Sequence, residues 1–315
     1  MNRLLTRLLL IVAVAMLPAL GIQAYTESEA RRTRQHLVED EALRLVRLVS
    51  TEQQRIAEGA DQVLATIGGA PAVQDTIPAL CQRLLANVLE QEPRYNFIGV
   101  IGKDGHTICA PGPFDHGLDG SDRPFFRRAL QTGGFAIGDY AIGRVTGLPT
   151  IHMAKPYRNP DGTVAGVVVL GLDLGWLGKQ LEKIKLPPGA VVSVMDRNGT
   201  VLARVPGGMQ FAGQRIPAQN RFILQGSDVG LASMTSLEGD RALLVAYSPP
   251  DGDPKGLAVG VGLDRDATFA AVVQANRNGM LLIAAGAALA LAMTAMAGRH
   301  LIHRPLERLL RTADR

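Results

Sequence analysis

Residues 96–109 read NFIGVIGKDGHTIC: an apolar run, the turn Lys103-Asp104-Gly105, then a short second run of β-forming residues. The Asp-Gly pair supplies the positive φ that a tight hairpin needs, so two antiparallel strands are expected here. Working outward, a helix is expected over Arg123 to Leu130, with Ser121 or Asp122 as N-cap and Pro124 in its first turn. Gly133 and Gly134 end it. Three strand segments follow, FAIGDYAIG (135–143), LPTIHMAKPYR (148–158) and TVAGVVVLGLDL (163–174), the last two joined by the turn Asn159-Pro160-Asp161-Gly162. Five antiparallel strands with helices to one side make an α+β unit.

The same grammar returns downstream. Lys103-Asp104-Gly105-His106-Thr107-Ile108 is echoed by Arg197-Asn198-Gly199-Thr200-Val201-Leu202, and Gly171-Leu172-Asp173 by Gly262-Leu263-Asp264. Matches in the same order point to duplication, hence two similar sheet domains in tandem, 71–185 and 186–278. Upstream, Val46, Val49, Ile56, Ala60, Val63 and Ile67 recur at helical spacing, which predicts a long amphipathic helix over 25–70 that Gly68, Gly69 and Pro71 stop. Its apolar stripe can pack on its own domain, pair with a second copy, or both.

Two uncharged apolar runs flank this region. Leu8 to Ala24 follows Arg3 and Arg7 and is long enough to cross about 25 Å at 1.5 Å per residue. Met280 to Ala297 is followed by Arg299, His300, His303 and Arg304. They are read as transmembrane helices at 8–24 and 279–298, with 1–7 and 299–315 cytoplasmic and the intervening residues extracytoplasmic, periplasmic where the cell has two membranes. A cleaved signal peptide competes for the first run and a buried core helix for the second, although the latter run is apolar on every face. The net charge of +4 owes much to these flanks, so membrane and not nucleic acid is the expected partner. The only two cysteines, Cys81 and Cys109, can form one disulfide in an oxidising compartment or stand as two buried thiols, and they lack metal-site spacing.

The motif search finds no phosphate-binding glycine loop, no Gly-x-Ser-x-Gly elbow and no His-Glu-x-x-His, so neither catalysis nor a cofactor is expected. Asp115, His116, Asp119 and Asp122 share one loop and could hold a hard cation, but acidic loop residues are ordinarily turn formers and caps, and no metal is expected. A ligand pocket in the first sheet domain is the better candidate. Arg123 at a helix start can meet a carboxylate with its guanidinium fork and the helix dipole. Phe125 and Phe126 could form a wall, Tyr140 could offer a hydroxyl, and Asp173 could anchor an ammonium group. Arg144, His152 and Lys155 are further candidates. Each has an ordinary alternative: core packing for the phenylalanines, a surface ion pair for Arg123, cross-strand packing for Tyr140, a cap before Trp176 for Asp173.

This layout, together with DRPFFRRAL, GDYAIGRVTG, AKPYRNPDG and GVVVLGLDL, resembles the double Cache (dCache) sensors, extracellular relatives of the PAS fold. Arg304-Pro305-Leu306-Glu307-Arg308-Leu309 resembles the opening of a HAMP signalling helix. The resemblance implies a long helix and two PAS-like antiparallel-sheet domains between two membrane spans. It also implies a homodimeric receptor that binds a small metabolite (amino acid, carboxylate or amine) and signals to a cytoplasmic output. That output would be a histidine kinase, a diguanylate cyclase, a chemoreceptor, or a separate partner protein. Amino-acid-binding members place an Arg, then Trp and Tyr, then a strand Tyr and a terminal Asp. Arg123, Tyr140 and Asp173 match that arrangement, whereas Phe125 and Phe126 replace the Trp and Tyr and remove two hydrogen-bond donors.

Overall fold

The structure, a computed structural model, describes the backbone of residues 2–264 except 76, 113–117, 240 and 252–255, with isolated positions between 285 and 296, and most side chains from 38 onward. One helix, α1 (Asn2–Gly68), runs through both the first predicted span and the predicted long helix, with Pro18 inside it. Side chains over the first span are mostly outside the described set. The second predicted span and the HAMP-like stretch lie almost wholly outside it. Among the described residues, no helix is long and apolar enough to cross a membrane.

From Val38 onward α1 buries Ala42, Leu45, Val46, Val49, Ile56, Ala60, Leu64 and Ile67. This stripe packs on its own domain. At Gly68 the helix passes so close to the sheet that an added Cβ would stand 3.0 Å from the Cβ of Tyr157. Two short helices follow, α2 (Pro71–Gln74) and α3 (Pro78–Gln91), each opened by a proline whose missing N–H costs nothing at that position.

The first sheet in chain order, termed distal because it is the farther in sequence from the 279–298 run, comprises β1 (Tyr95–Gly102), β2 (Thr107–Cys109), β3 (Ala136–Ile142), β4 (Pro149–Arg158) and β5 (Val164–Asp173), with α4 (Pro124–Thr132) before β3 and α5 (Leu174–Glu182) after β5. Its strand order is β2-β1-β5-β4-β3. The proximal sheet comprises β6 (Val191–Asp196), β7 (Val201–Val205), β8 (Gly230–Thr235), β9 (Ala242–Ser248) and β10 (Leu257–Asp264), in the order β7-β6-β10-β9-β8. The order is the same in both. The register repeats too: Phe97 pairs with Gly171 and Val191 with Gly262, so the residues that echo one another in sequence occupy equivalent sites. The chain is therefore α+β, a long N-terminal helix followed by two antiparallel five-stranded sheets.

Alternation along the strands sorts the two faces of the distal sheet. Ala154, Val167 and Val169 face α4 and form a core with Phe125, Phe126 and Ala129. Burying each phenylalanine contributes roughly 1.5–3 kcal/mol. Val168 and Lys155, paired across β4 and β5, face α1, where Lys155 Nζ lies 2.8 Å from Asp61 Oδ1. Cys81 of α3 and Cys109 of β2 are joined by a disulfide, with Cα atoms 6.3 Å apart. The start of α4 differs from the expected capping by Ser121 or Asp122. Arg123 is the N-cap, held extended at φ −75° and ψ 133° because the residue before a proline avoids the helical region.

Candidate functional site

On the α4 face of the distal sheet, next to its core, lies a cavity of about 40 Å³. Phe97 and Ile101 enter it from β1, Arg123 and Phe125 from the start of α4, His152 from β4, and Gly143 to Thr146 close it from the β3–β4 turn. Asp119, fixed by a backbone bridge to His106, lies at its edge beside Gly120.

Two guanidinium groups reach this cavity, and they are differently committed. Arg144 is bidentate to Asp122, Nη2 to Oδ2 at 2.6 Å and Nη1 to Oδ1 at 3.0 Å, and also donates to the Asp119 carbonyl at 2.6 Å. That hydrogen bond holds the Asp122 carboxyl below its usual range. Arg123 is half-buried and has no hydrogen-bond or ion-pair partner among the described residues. Burial, then the like charge of Arg144, lowers its pKa from the ordinary value. The Asp119 carboxylate accepts from Ser121 N at 2.7 Å and Ser121 Oγ at 2.9 Å, which holds its pKa down. A carboxylate has about four acceptor positions, so these two bonds leave others open.

His152 is 7% exposed, stacks on Phe125 at 4.8 Å and meets Phe97 edge-on at 6.4 Å. Burial first and the nearby Arg123 second push its pKa down to about 4. At neutral pH it is an uncharged ring with one donor and one acceptor nitrogen, and neither has a hydrogen-bond partner among the described residues.

Arg123, Phe125, Arg144 and His152 thus converge on one cavity, while Phe126, Tyr140, Lys155 and Asp173 lie outside its lining. Phe126 is 4% exposed within the α4 core. Asp173 caps α5 by accepting from Trp176 N at 2.8 Å. Lys155 is on the other face of the sheet. Tyr140 belongs to a wider cleft between the two sheets, where its N–H donates to Asp196 Oδ2 at 3.0 Å and its ring lies against Gly213. Sequence reasoning passed over Phe97, Ile101 and Thr107, whose spacing and turn position were the available signal. Of the loop considered for a cation, Asp115 and His116 lie outside the described residues. Among the described residues, no group of three or more His, Cys, Asp or Glu could hold a metal.

No family model matches the chain. Solved structures do. The extracellular domain of rpHK1S-Z16, assigned as a histidine kinase, superposes with a TM-score of 0.62 at 20% identity, covering 75% of this chain and 98% of that one. The ligand-binding domain of the Pseudomonas fluorescens chemoreceptor CtaA, in complex with L-serine, gives a TM-score of 0.59 at 16% identity over 74% of this chain and 99% of that one. The fold is the one these extracellular and ligand-binding domains share, consistent with the double Cache resemblance. The ligand-binding domain of the Pseudomonas aeruginosa PAO1 chemoreceptor PctB, in complex with L-Arg, shares this fold at a TM-score of 0.57 and 17% identity, over 74% and 97% of the two chains. Among curated proteins, the Citrate (Re)-synthase of Syntrophus aciditrophicus (strain SB) is 26% identical over 140 residues, 41% of this chain. The match spans 22% of that protein's length, and the structural neighbours are extracellular and ligand-binding domains.

Proposed function

We propose that this chain is the sensory part of a transmembrane signal-transduction receptor, whose distal double Cache domain binds a small carboxylate metabolite, α-amino acids included. The observation that carries this reading is the pair of groups without a hydrogen-bond partner among the described residues, Arg123 and the buried His152, facing one cavity with aromatic walls. A guanidinium offers a carboxylate two parallel charge-assisted hydrogen bonds, and the partial burial of Arg123 strengthens them. His152 can add an N–H, Phe97 and Phe125 bound the apolar part of the ligand, and the open acceptor positions of Asp119 suit an ammonium group. The L-serine, L-alanine and L-Arg complexes of similar domains support the amino-acid end of this class.

Size narrows it further. A cavity of about 40 Å³ holds on the order of three waters, so only the smallest carboxylates, of about acetate's size, fit it as it stands. A larger ligand requires displacement of the Gly143–Leu148 turn, now closed by Gly143 N to Leu148 O at 2.9 Å and Gly147 N to Gly143 O at 2.8 Å.

The proposal places the sensor outside the inner membrane of a two-pass homodimer with both termini cytoplasmic. The uncharged runs at 8–24 and 279–298 and their basic flanks support this topology. Signal would leave through the HAMP-like 299–315 stretch to a chemoreceptor, histidine kinase or cyclase output, or to a separate signalling partner. The test is a thermal-shift panel on the full chain in detergent micelles with acetate, glycine, L-alanine and ethylamine. The carboxylates should raise the melting temperature and ethylamine should not. A flat response to every carboxylate removes this reading.

A further inference from the structure

A second cavity, of about 410 Å³, opens between the two sheets, and Arg123, Phe125 and His152 line it as well as the first. Its volume is in the range of small-molecule sites. Its charges can be sorted by what already holds them. The Asp139 carboxylate is taken by Arg128, at 2.9 and 3.0 Å. That of Asp196 accepts from Tyr140 N at 3.0 Å, Asn198 N at 2.9 Å and Thr200 N at 2.8 Å. Both acidic groups are therefore spoken for.

The two cationic groups are not. Arg123 comes from the distal domain and Arg215 from the proximal one, and neither has a hydrogen-bond or ion-pair partner among the described residues. The Arg215 backbone is fixed by a bridge to Thr200, the same place in its repeat that Asp119 takes opposite His106 in the other. The duplicated position thus carries opposite charge in the two domains. The exposed Asn198 side chain adds polar capacity, and Pro124 and Phe125 add an apolar wall.

We propose that this interdomain cleft is a second binding site, for a small organic dianion whose charged groups are shared between Arg123 and Arg215. Such a ligand bridges the two sheet domains and competes with a monocarboxylate in the distal cavity for Arg123, so each ligand weakens the other. Dicarboxylates and phosphate monoesters present the same chemistry to two guanidiniums, and titration tells them apart.

The experiment is calorimetric titration of the full chain in detergent micelles with succinate, glycerol phosphate and, as a monoanion, acetate. Wild type should bind at least one dianion saturably, and which one identifies the source. Arg215→Ala should weaken that binding tenfold or more while leaving acetate within twofold, because Arg215 does not line the distal cavity. If the alanine variant melts without a cooperative transition, Arg215→Gln removes the same charge while keeping a polar side chain at the position. Failure of both dianions to bind, or undiminished binding after loss of Arg215, overturns the proposal. Acetate binding that persists in Arg215→Ala reports on the distal cavity, so the two readings fail separately.

Discussion

His152→Gln should change how stability depends on pH. In the folded protein the imidazole titrates at about 4 and, once unfolded, near 6.5. Between those values the unfolded chain carries the extra proton, so folding stability falls as pH falls from 6.5 towards 4. The gap is worth about 3 kcal/mol in full at 1.36 kcal/mol per unit, of which roughly 2 kcal/mol has been lost by pH 5. Glutamine does not titrate, so the variant should lose about 2 kcal/mol less than wild type between pH 7.5 and pH 5. Urea unfolding followed by the fluorescence of Trp176, the single tryptophan, measures both curves. Only the difference in slope matters, since losing the stack on Phe125 shifts the variant at every pH. Parallel curves for the two proteins would refute the claim that His152 is buried and neutral. A bound carboxylate should favour the protonated ring, so acetate should bind more tightly as pH falls below 6 and this trend should vanish in the variant.

Other perturbations separate structure from binding. Replacing Cys81 and Cys109 by serine opens a loop whose ends are 28 residues apart and should cost about 3–4 kcal/mol by chemical denaturation. Asp196→Asn leaves at least one of three N–H donors, those of Tyr140, Asn198 and the buried Thr200, facing an amide N–H, so a loss of about 1–3 kcal/mol is expected, read by the same urea titration. Lys155→Ala removes a half-exposed pair with Asp61 on the far side of the sheet and should cost below about 1 kcal/mol. In the thermal-shift panel its response to glycine should match wild type.

The sheets were legible because strand pairing follows local patterns. The Asp-Gly and Asn-Gly turns place the first hairpin of each repeat, and the echo of Gly171 in Gly262 gives the register that the structure shows. The site was legible only where alternation holds. His152 and Lys155, three apart on one strand, must face opposite ways, which sequence spacing already implied. Tyr140 escaped this rule because the pairing register shifts between Ile137 and Tyr140, and a shifted strand re-aims the side chains beyond it. The partnership of Arg144 with Asp122, 22 residues apart, is set by tertiary closure of the β3–β4 turn over α4. No local signal reports it, nor that Arg123 makes no hydrogen bond among the described residues. The first apolar run and the long helix merge into one element because no glycine or proline interrupts residues 22–58.

The most direct test is calorimetric titration of the full chain with glycine, comparing wild type with Arg123→Ala and Arg123→Lys. Arginine holds a carboxylate in two parallel bonds that lysine cannot reproduce. Saturable binding by wild type, lost in the alanine variant and weakened tenfold or more in the lysine variant, is the predicted result. Equal binding by all three proteins would contradict the assignment of the distal cavity as the carboxylate site.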